Sequence, residues 1–237
     1  MNDKQKGHPF RDLIISIIIP SVILMKYSGD EHLGSTWGLI VALAFPFCYG
    51  SFELIAHRKF NFISLLGVIS VLLTGGIGLL ELDPKWLAIK EAAIPLVIGL
   101  LVLFSLKTPY PLIRTLLYNP NFINTEHVDK HLKERGNQEQ FDIRLVKATY
   151  FLSCTFLFSA TLNYLLATYI VTSPAGTEAF NEELGQLTLV SYPVIALPSM
   201  VFLIAILYWL IKSVKQLSGL PLEEIMLIEE NTTDNKG

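Results

Sequence analysis

Apolar residues in this chain come in long blocks, not at the spacing of an amphipathic helix or strand. Six blocks are long enough for helices that cross a membrane: 12–29, 33–55, 60–81, 84–107, 145–171 and 189–212. A helix on the surface of a soluble protein has one apolar stripe and a polar face, so unbroken apolar blocks favour lipid as the surroundings. The pattern predicts an all-α fold, a polytopic transmembrane bundle of six helices that forms a single membrane domain over 1–237.

The fourth block gives the clearest signals for where a helix begins and ends. Asp83 can accept hydrogen bonds from the free N–H groups of a first turn, and Pro84 suits the first helical position. From Pro84 to Lys107 a helix would measure about 36 Å, enough to cross a hydrocarbon core of about 30 Å. Lys90 and Glu91 then lie inside one end of a membrane-spanning helix, where charges are costly unless they are paired or reach the interface.

The composition agrees with a membrane protein. Hydrophobic residues make up 51% of the chain, charged residues make up only 16%, and the mean hydropathy is +0.48. Cys48 and Cys154 both fall in apolar blocks, so we expect buried thiols and neither a disulfide nor a metal cluster. The first block has a basic start, but no small-residue cleavage site follows Met25, which favours a retained helix over a secretory signal.

Basic residues predict which connections face the cytoplasm, because cytoplasmic loops are enriched in lysine and arginine. With the N-terminus inside, fifteen of the eighteen basic residues fall in cytoplasmic segments, and Lys26, Lys85 and Lys90 fall on the outer side. The last outer loop, 172–188, contains three glutamates and no basic residue. We therefore expect both termini in the cytoplasm, in a multi-pass protein of the bacterial inner (cytoplasmic) membrane.

The segment 108–144 is the longest polar stretch and is expected to be cytoplasmic or interfacial and partly helical. Four apolar residues near its start predict a short helix at the membrane surface. A second short helix is predicted over 125–135, capped by Asn124 or Thr125 and stopped by Gly136. This second helix has charges on nearly every side, so we expect it to present a solvated face.

Polar side chains inside the predicted spans are candidates for ligand binding or for helix packing. Three interpretations of Lys90 and Glu91 are open: anchors at the outer interface, partners for charges on other helices, or parts of an ion or proton path. Asn163, in the fifth block, would either bond to a neighbouring helix or bind a substrate. Asp83 joins this set through its place at the start of the same helix as Lys90.

Small residues and prolines mark where helices approach or bend. Ser70, Thr74 and Gly78 recur at four-residue spacing, which gives a face on which another helix can pack closely. Pro20 and Pro193 are two of the prolines inside predicted spans. Such prolines are kinks that serve packing, or they mark broken helices that line a substrate site, as in secondary transporters.

Two histidines are the only metal candidates. His127 and His131 stand four residues apart, so on a helix they would share a face. Val128 replaces the glutamate of the zinc-protease motif, and no third ligand is evident. We expect no metal site, no cofactor and no catalytic residue, because phosphate loops, dinucleotide fingerprints and nucleophile elbows are absent from the sequence. The basic residues do not interleave with aromatic residues as in a nucleic-acid surface.

The run from Trp37 to Lys107 resembles the intracellular septation protein A family of bacterial inner-membrane proteins. The features that carry the resemblance are Arg58-Lys59, Gly75-Gly76, Asp83, Ile89-Lys90, Lys107 before a proline, and Asn163 in the fifth block. The resemblance implies a role in cell-envelope synthesis and division that is exerted through protein partners. It implies no catalytic residues.

Two hypotheses of function follow. The first is a non-enzymatic inner-membrane protein that supports envelope growth or septation by contacting membrane proteins of division or wall synthesis, with the lipid bilayer and a second copy of the chain as further partners. The tail, 216–237, is expected to form a short amphipathic helix that touches such a partner. The second hypothesis is a small secondary transporter with a polar site around Lys90, Glu91 and Asn163. It predicts a polar cavity that reaches the membrane midplane.

Overall fold

The computed structural model describes residues 13–56, 62–108, 112–120 and 123–226. We label its α-helices α1 (Ile19–Lys26), α2 (Gly34–Ala56), α3 (Phe62–Leu79), α4 (Lys85–Phe104), α5 (Leu112–Leu116), α6 (Thr125–Glu134), α7 (Gln138–Ile170), α8 (Glu178–Ser191), α9 (Leu197–Ser218) and α10 (Leu222–Ile225). A π-helical turn, Ile14–Ile18, precedes α1, and another, Tyr192–Ala196, joins α8 to α9. Over these ranges the protein is all-helical and has no β-strand.

Four helices of the described chain are long and apolar enough to cross a membrane: Gly34–Phe52, Lys85–Lys107, Gln138–Ile170 and Glu178–Ser218. Two more apolar helices, Ile14–Lys26 and Leu65–Leu79, are shorter. The four long helices fall on predicted spans, and the two shorter ones coincide with the first and third predicted blocks. The described part of the protein is therefore all-helical and contains four candidate membrane spans.

The last two long helices begin earlier than predicted. Helix α7 begins at Gln138 rather than at 145, and α8 begins at Glu178, inside the stretch predicted to be an outer loop. The side chain of Thr177 caps α8 by accepting a hydrogen bond from the backbone N–H of Phe180 at 3.1 Å. The sequence analysis placed helix starts where apolar blocks begin. It therefore missed this start, because the first turn of α8 contains polar residues.

Hydrogen bonds to Glu183 connect α8 to the loop that precedes it. Its carboxylate accepts hydrogen bonds from the backbone N–H groups of Thr172 at 2.9 Å and Ser173 at 2.8 Å. It also accepts hydrogen bonds from both hydroxyl groups. The glutamates of the predicted outer loop are thus partly structural, since one of them holds the connection between α7 and α8 in place.

The chain divides into two compact units. The first contains 1–96 and 158–198, and the second contains 97–157 and 199–237. In the first unit α1 packs against α2 and α8, and α2 packs against α3. Buried residues of these helices, of α4 and of the end of α7 form its core: Leu24, Leu39, Ala42, Ile77, Leu87, Ala88, Ala167, Phe180, Leu184 and Leu187.

One part of the predicted small-residue face of α3 packs on neighbouring helices, and another part lines a cavity. A Cβ at Gly78 would overlap Cδ2 of Leu39 and would lie 3.4 Å from the ring of Phe180, so α3 approaches its neighbours closely there. This packing role of Gly78 is confirmed. Ser70 and Thr74, on the same face, line the cavity described below.

Three connections of the first unit gather at one end of it. A Cβ at Gly29, between α1 and α2, would lie 2.7 Å from Oε1 of Glu178 at the start of α8. A Cβ at Gly176, just before α8, would lie 2.9 Å from Cγ of Glu81, between α3 and α4. The three connections that were predicted to share one side of the membrane therefore contact one another.

Helix α6, in the segment 108–144, has one exposed face and one buried face in the second unit. Buried residues of α5, α6, α7 and α9 form one core, which includes Ile113, Val128, Leu132, Phe141, Leu145, Leu210 and Val214. Val128 and Leu132 of α6 are completely buried, whereas its charged residues Glu126, Lys130, Lys133 and Glu134 are exposed. The helix therefore has the solvated face that the sequence predicts, and two apolar residues at four-residue spacing dock its other face.

The tail docks on its own chain. Ile225 of α10 is completely buried, and its carbonyl accepts a hydrogen bond from the backbone N–H of Asn124 at 2.8 Å. His127 Nε2 lies 3.2 Å from Oε2 of Glu224. The predicted short helix therefore exists, and its apolar side packs on the start of α6. The tail beyond Met226 lies outside the described residues.

Both cysteines lie on the exposed surface of their helices, so the expectation of buried thiols is wrong. Helices in lipid have apolar outward positions as well as apolar inward ones. Hydrophobicity along the sequence therefore does not tell whether Cys48 or Cys154 faces the interior.

The cap of α6 gives a first testable prediction. Asn124 accepts a hydrogen bond from the backbone N–H of His127 at 3.3 Å, and Gly136 ends the helix with a positive φ of 69°. Replacing Asn124 by alanine should cost about 1 kcal/mol, the usual cost of losing a cap, and should speed amide hydrogen exchange in the first turn of α6. Lys130→Ala, at an exposed position of the same helix, should leave that exchange unchanged.

Candidate functional site: a polar cavity in the first unit

A cavity of about 270 Å³ lies inside the first unit. Every helix of this unit contributes to its wall. The polar residues that line it are Ser16, Ser70, Thr74, Lys90, Glu91, Asn163, Thr188 and Ser191. The apolar residues that line it are Pro20, Leu24, Leu43, Pro46, Val71, Leu184 and Leu187. At about 30 Å³ per molecule, the space suits several waters or one small solute.

Lys90 and Glu91 form an ion pair in the wall of this cavity. Lys90 Nζ lies 2.6 Å from Oε1 of Glu91, although neighbours on a helix do not normally face each other. The lysine also donates a hydrogen bond to Oγ1 of Thr74 on α3 at 2.8 Å. The lysine side chain is only 8% exposed and the glutamate side chain is 28% exposed, so the glutamate is the more accessible partner.

Thr74 is held so that it can accept from Lys90. Its hydroxyl donates a hydrogen bond to the backbone carbonyl of Ser70 at 3.0 Å, one turn earlier in α3. Because a hydroxyl has a single proton, the lone pairs of Oγ1 are left for the ammonium of Lys90. The chain of bonds from Lys90 through Thr74 to Ser70 joins α4 to α3.

Asn163 reaches the same cavity from α7. Its side-chain nitrogen donates a hydrogen bond to the backbone carbonyl of Ser159 at 2.8 Å. With one of its two N–H groups engaged on its own helix, Asn163 keeps its amide oxygen and one N–H for other partners. The structure thus brings together Lys90, Glu91 and Asn163, three of the four residues that the sequence singled out as candidates.

The fourth candidate, Asp83, is a capping residue outside the cavity lining. Its Oδ1 accepts a hydrogen bond from the backbone N–H of Lys85 at 2.9 Å at the start of α4. Its other oxygen lies 3.8 Å from the exposed ammonium of Lys85. Asp83 therefore fixes the start of the helix that carries the ion pair, as the sequence predicted.

Two π-helical turns border the cavity. Ser16 lies in the turn Ile14–Ile18, and Ser191 directly precedes the turn Tyr192–Ala196. Pro20 and Pro193 lie beside or within these turns. π-Helical turns are rare and are frequently found at functional sites, so the prolines mark altered backbone next to the cavity rather than simple kinks.

The cavity extends well into the first unit from the end where its three connections gather. At about 1.5 Å per residue, Thr74 and Lys90 lie about 8 Å from the helix ends at that side, and Asn163 lies about 11 Å from them. Ser70 and Ser191 lie about 14 Å and 20 Å from the corresponding helix ends. The ion pair therefore lies nearer to that end of the unit than Ser70 and Ser191 do.

Sequence reasoning missed the polar residues that α8 contributes. Thr188 lines the cavity, and its hydroxyl donates a hydrogen bond to the carbonyl of Leu184 at 2.9 Å. The sequence places Thr188 in the predicted outer loop. A start signal was present, since Thr177 followed by Glu178 suits a helix N-terminus, and it would have placed Thr188 on a helix.

A second cavity, of about 460 Å³, lies in the second unit and is a weaker candidate. The charged groups in its wall already have partners: Arg114 lies 2.7 Å from Asp142, and the hydroxyl of Tyr118 donates to Asp129 at 3.0 Å. Burial raises the pKa of Tyr118 well above its usual value, and the charge of Asp129 raises it further, so the phenol stays a donor. This cleft presents paired charges to a ligand.

The two histidine candidates do not form a metal site. The rings of His127 and His131 lie 4.5 Å apart, and Nδ1 of His131 lies 3.0 Å from the carbonyl of His127. Within the described ranges, no group of three metal-ligating side chains could hold an ion. His127 instead lies beside Glu224 of the tail.

The fold and the cavity define a class of protein: over its described residues the chain is all-helical, with several helices long and apolar enough to cross a membrane and a polar cavity in its first unit. No family model, no curated protein and no solved structure matches this chain. The resemblance to the septation family therefore stays a prediction from the sequence.

Proposed function

We propose that this chain is a small secondary transporter, a permease with six spans and both termini in the cytoplasm, in the inner membrane of a bacterium. The observation that carries the proposal is the convergence of Lys90, Glu91 and Asn163 on one cavity. Side chains that only anchored the protein in the interface would be dispersed around the rim of the bundle. Charged groups turned towards a cavity in a membrane protein are typical of substrate and ion pathways.

Three further features support transport. The cavity runs from about 8 Å to about 20 Å below one set of helix ends, so with those ends at the membrane surface it would reach the midplane of a core about 30 Å thick. Altered helical turns border it, as in transporters whose binding sites lie at broken helices. The three connections at that end of the unit match the predicted outer side.

A role as an envelope scaffold is a separate proposal, and it rests on the resemblance to the septation family. It predicts that affinity purification from detergent extracts recovers membrane proteins of division or wall synthesis, or a second copy of the chain. Recovery of neither would count against it. The cavity does not require such partners, so this experiment leaves the transport proposal unaffected.

Cysteine labelling tests whether the cavity is reached by water, as transport requires. In a chain with Cys48 and Cys154 replaced by serine, single cysteines are placed at Ser70 or Ser191, in the deep part of the cavity. Intact membrane vesicles are treated with a charged, membrane-impermeant thiol reagent. We expect both cysteines to react, because an aqueous cavity ionises the thiol and admits the reagent.

Leu72→Cys is the matched control for labelling. It lies two residues from Ser70 on α3, and its side chain is 57% exposed on the outside of the helix. In a membrane this cysteine faces lipid, so we expect it to stay unlabelled in vesicles. Equal labelling at 70, 72 and 191, or no labelling at 70 and 191, would contradict an aqueous cavity and with it the transport proposal.

A further inference from the structure

Three polar side chains of the cavity each donate a hydrogen bond to the backbone of their own helix. Thr74 donates to the carbonyl of Ser70, Thr188 to that of Leu184, and Asn163 to that of Ser159. The single hydroxyl protons of Thr74 and Thr188 and one of the two N–H groups of Asn163 are thereby used, so the lone pairs of three oxygen atoms remain for other partners. These side chains therefore offer mainly acceptors, which suit a ligand that carries hydrogen-bond donors.

The cavity wall already binds one such group. The ammonium of Lys90 lies between the carboxylate of Glu91, at 2.6 Å, and the hydroxyl of Thr74, at 2.8 Å. A carboxylate with a neighbouring hydroxyl is a suitable site for a charged N–H donor, because hydrogen bonds between charged groups are short and strong. Lys90 thus shows which chemistry this wall recognises.

The charges of the cavity exclude an anion as the preferred ligand. Of the described residues that line it, only Lys90 and Glu91 are charged, and they neutralise each other. Glu91 is the more exposed of the two, so its carboxylate is the charged group that is more accessible to a solute. An anion would meet that carboxylate and the acceptor oxygens, whereas a cation would be attracted by them.

We propose that the cavity binds a small organic cation with N–H donors, and that Lys90 gives up a proton when this cation binds. The inference rests on the transport function proposed above. With the cation on Glu91, a charged Lys90 would leave two positive charges beside one carboxylate in a poorly solvated site, which is costly. Loss of one proton from the lysine ammonium leaves a neutral amine, so one cation enters the site for each proton that leaves.

The same exchange defines a transport cycle without net charge movement. Release of the cation on the other side of the membrane leaves Glu91 without a partner, and Lys90 then takes a proton from that side and restores the ion pair. One cation moves in one direction for each proton that moves in the other. Thr74 keeps its position throughout, since its hydroxyl continues to donate a hydrogen bond to the carbonyl of Ser70.

The lining also indicates which organic cations fit. Quaternary ammonium ions, which have no N–H donor, are normally bound over aromatic rings. None of the described residues that line this cavity is aromatic. Cations with N–H groups, such as primary ammonium or guanidinium ions, can instead donate to Glu91, Asn163 and Thr188.

A proteoliposome experiment with two probe ions tests this proposal. The purified full-length protein is reconstituted with a pH-sensitive dye in the lumen, and guanidinium gluconate or tetramethylammonium gluconate is added outside. Guanidinium keeps its charge and carries N–H donors, whereas tetramethylammonium carries none. We expect guanidinium to make the lumen alkaline as protons leave, and we expect a much smaller response to tetramethylammonium.

Lys90→Arg tests the proton step, because a guanidinium side chain keeps the ion pair but does not release a proton. The response to guanidinium should be lost in this variant and in Glu91→Gln. Lys85→Arg, on the same helix with an 84% exposed side chain, is the matched control and should respond like the unaltered protein. Each variant is compared as protein that elutes as a single peak in detergent.

The outcomes separate this inference from the proposed function. A silent wild-type protein whose cavity cysteines are labelled would overturn the cation exchange and leave transport standing. Absence of labelling of the cysteines at Ser70 and Ser191 would contradict both the cation exchange and the transport proposal. An unchanged response in Lys90→Arg would overturn the role of Lys90, and an equal response to tetramethylammonium would overturn the preference for N–H donors.

Discussion

Replacing Glu91 by leucine is expected to lower the free energy of unfolding by about 3–5 kcal/mol, the usual cost of removing one partner from a buried ion pair. The side chain of Lys90 is 8% exposed and would keep only the hydroxyl of Thr74 as a partner. A charge that is buried to this extent and has lost its counter-charge is poorly solvated, even in the wall of a polar cavity. Titration of the detergent-solubilised protein with a denaturing detergent would measure the loss.

The opposite substitution should cost less. In Lys90→Leu the remaining Glu91 is 28% exposed to the cavity, so its carboxyl group can be solvated or can bind a proton. The double variant, with leucine at both positions, should recover much of the lost stability, since replacing a whole buried pair by apolar residues is often neutral. Lys85→Ala removes an exposed charge from the same helix and should change stability by less than about 1 kcal/mol.

The order of stability of these four variants shows whether Lys90 and Glu91 stabilise the protein as an interacting pair. Equal losses for Glu91→Leu and Lys85→Ala would mean that Lys90 is solvated in the protein. A double variant that is less stable than either single variant would mean that the two side chains contribute independently. Either result would remove the electrostatic argument for a cation site at Glu91.

Features of the fold that depend on neighbours in the sequence were predictable. Asp83 and Asn124 cap their helices, and Gly136 ends α6 with a positive φ, because capping needs only a few adjacent residues. The start of α8 was missed for a related reason. Its first half contains several polar residues, and the predicted apolar block begins only at 189.

Features of the cavity that depend on contacts between helices were not predictable. Lys90, Glu91 and Asn163 stood out because they are polar in apolar surroundings, but the sequence does not place them on one side of the bundle. Ser16 and Thr188 gave no signal, since serine and threonine are common in membrane helices and bond to their own backbone. Lys90 contacts both its neighbour Glu91 and Thr74 on a different helix, and the second contact has no signal in the sequence.

Burial was predicted with the wrong sign at the two cysteines. Hydrophobicity tells which residues avoid water, and lipid and a protein core satisfy that requirement equally. Cys154 lies in an apolar block of the sequence and is exposed, whereas Val128 lies in a highly charged helix and is completely buried. Only the packing of the neighbouring helices distinguishes the two cases.

Gly185→Val is expected to destabilise the first unit by about 1–3 kcal/mol, the usual cost of overpacking a close contact. A Cβ at Gly185 would lie 2.7 Å from Cγ of Met25, 3.0 Å from the backbone carbonyl of Ser21 and 3.3 Å from Cβ of Leu24. The methionine can move, but the carbonyl belongs to the backbone of α1 and cannot. The added side chain must therefore push α1 away from α8, which changes the distance between two walls of the cavity.

Gly76→Ala provides the opposite case on a neighbouring helix. Nothing lies within 4 Å of a Cβ at Gly76, so the substitution should stabilise α3 by up to about 1 kcal/mol through its greater helix propensity. In the same detergent, the thermal unfolding temperature should fall in Gly185→Val and rise in Gly76→Ala. Because α1 and α8 both line the cavity, Gly185→Val should also slow labelling of a cysteine at Ser191 while Gly76→Ala leaves it unchanged. A destabilised Gly185→Val protein with unaltered labelling would show that the contact between α1 and α8 supports the fold without shaping the cavity.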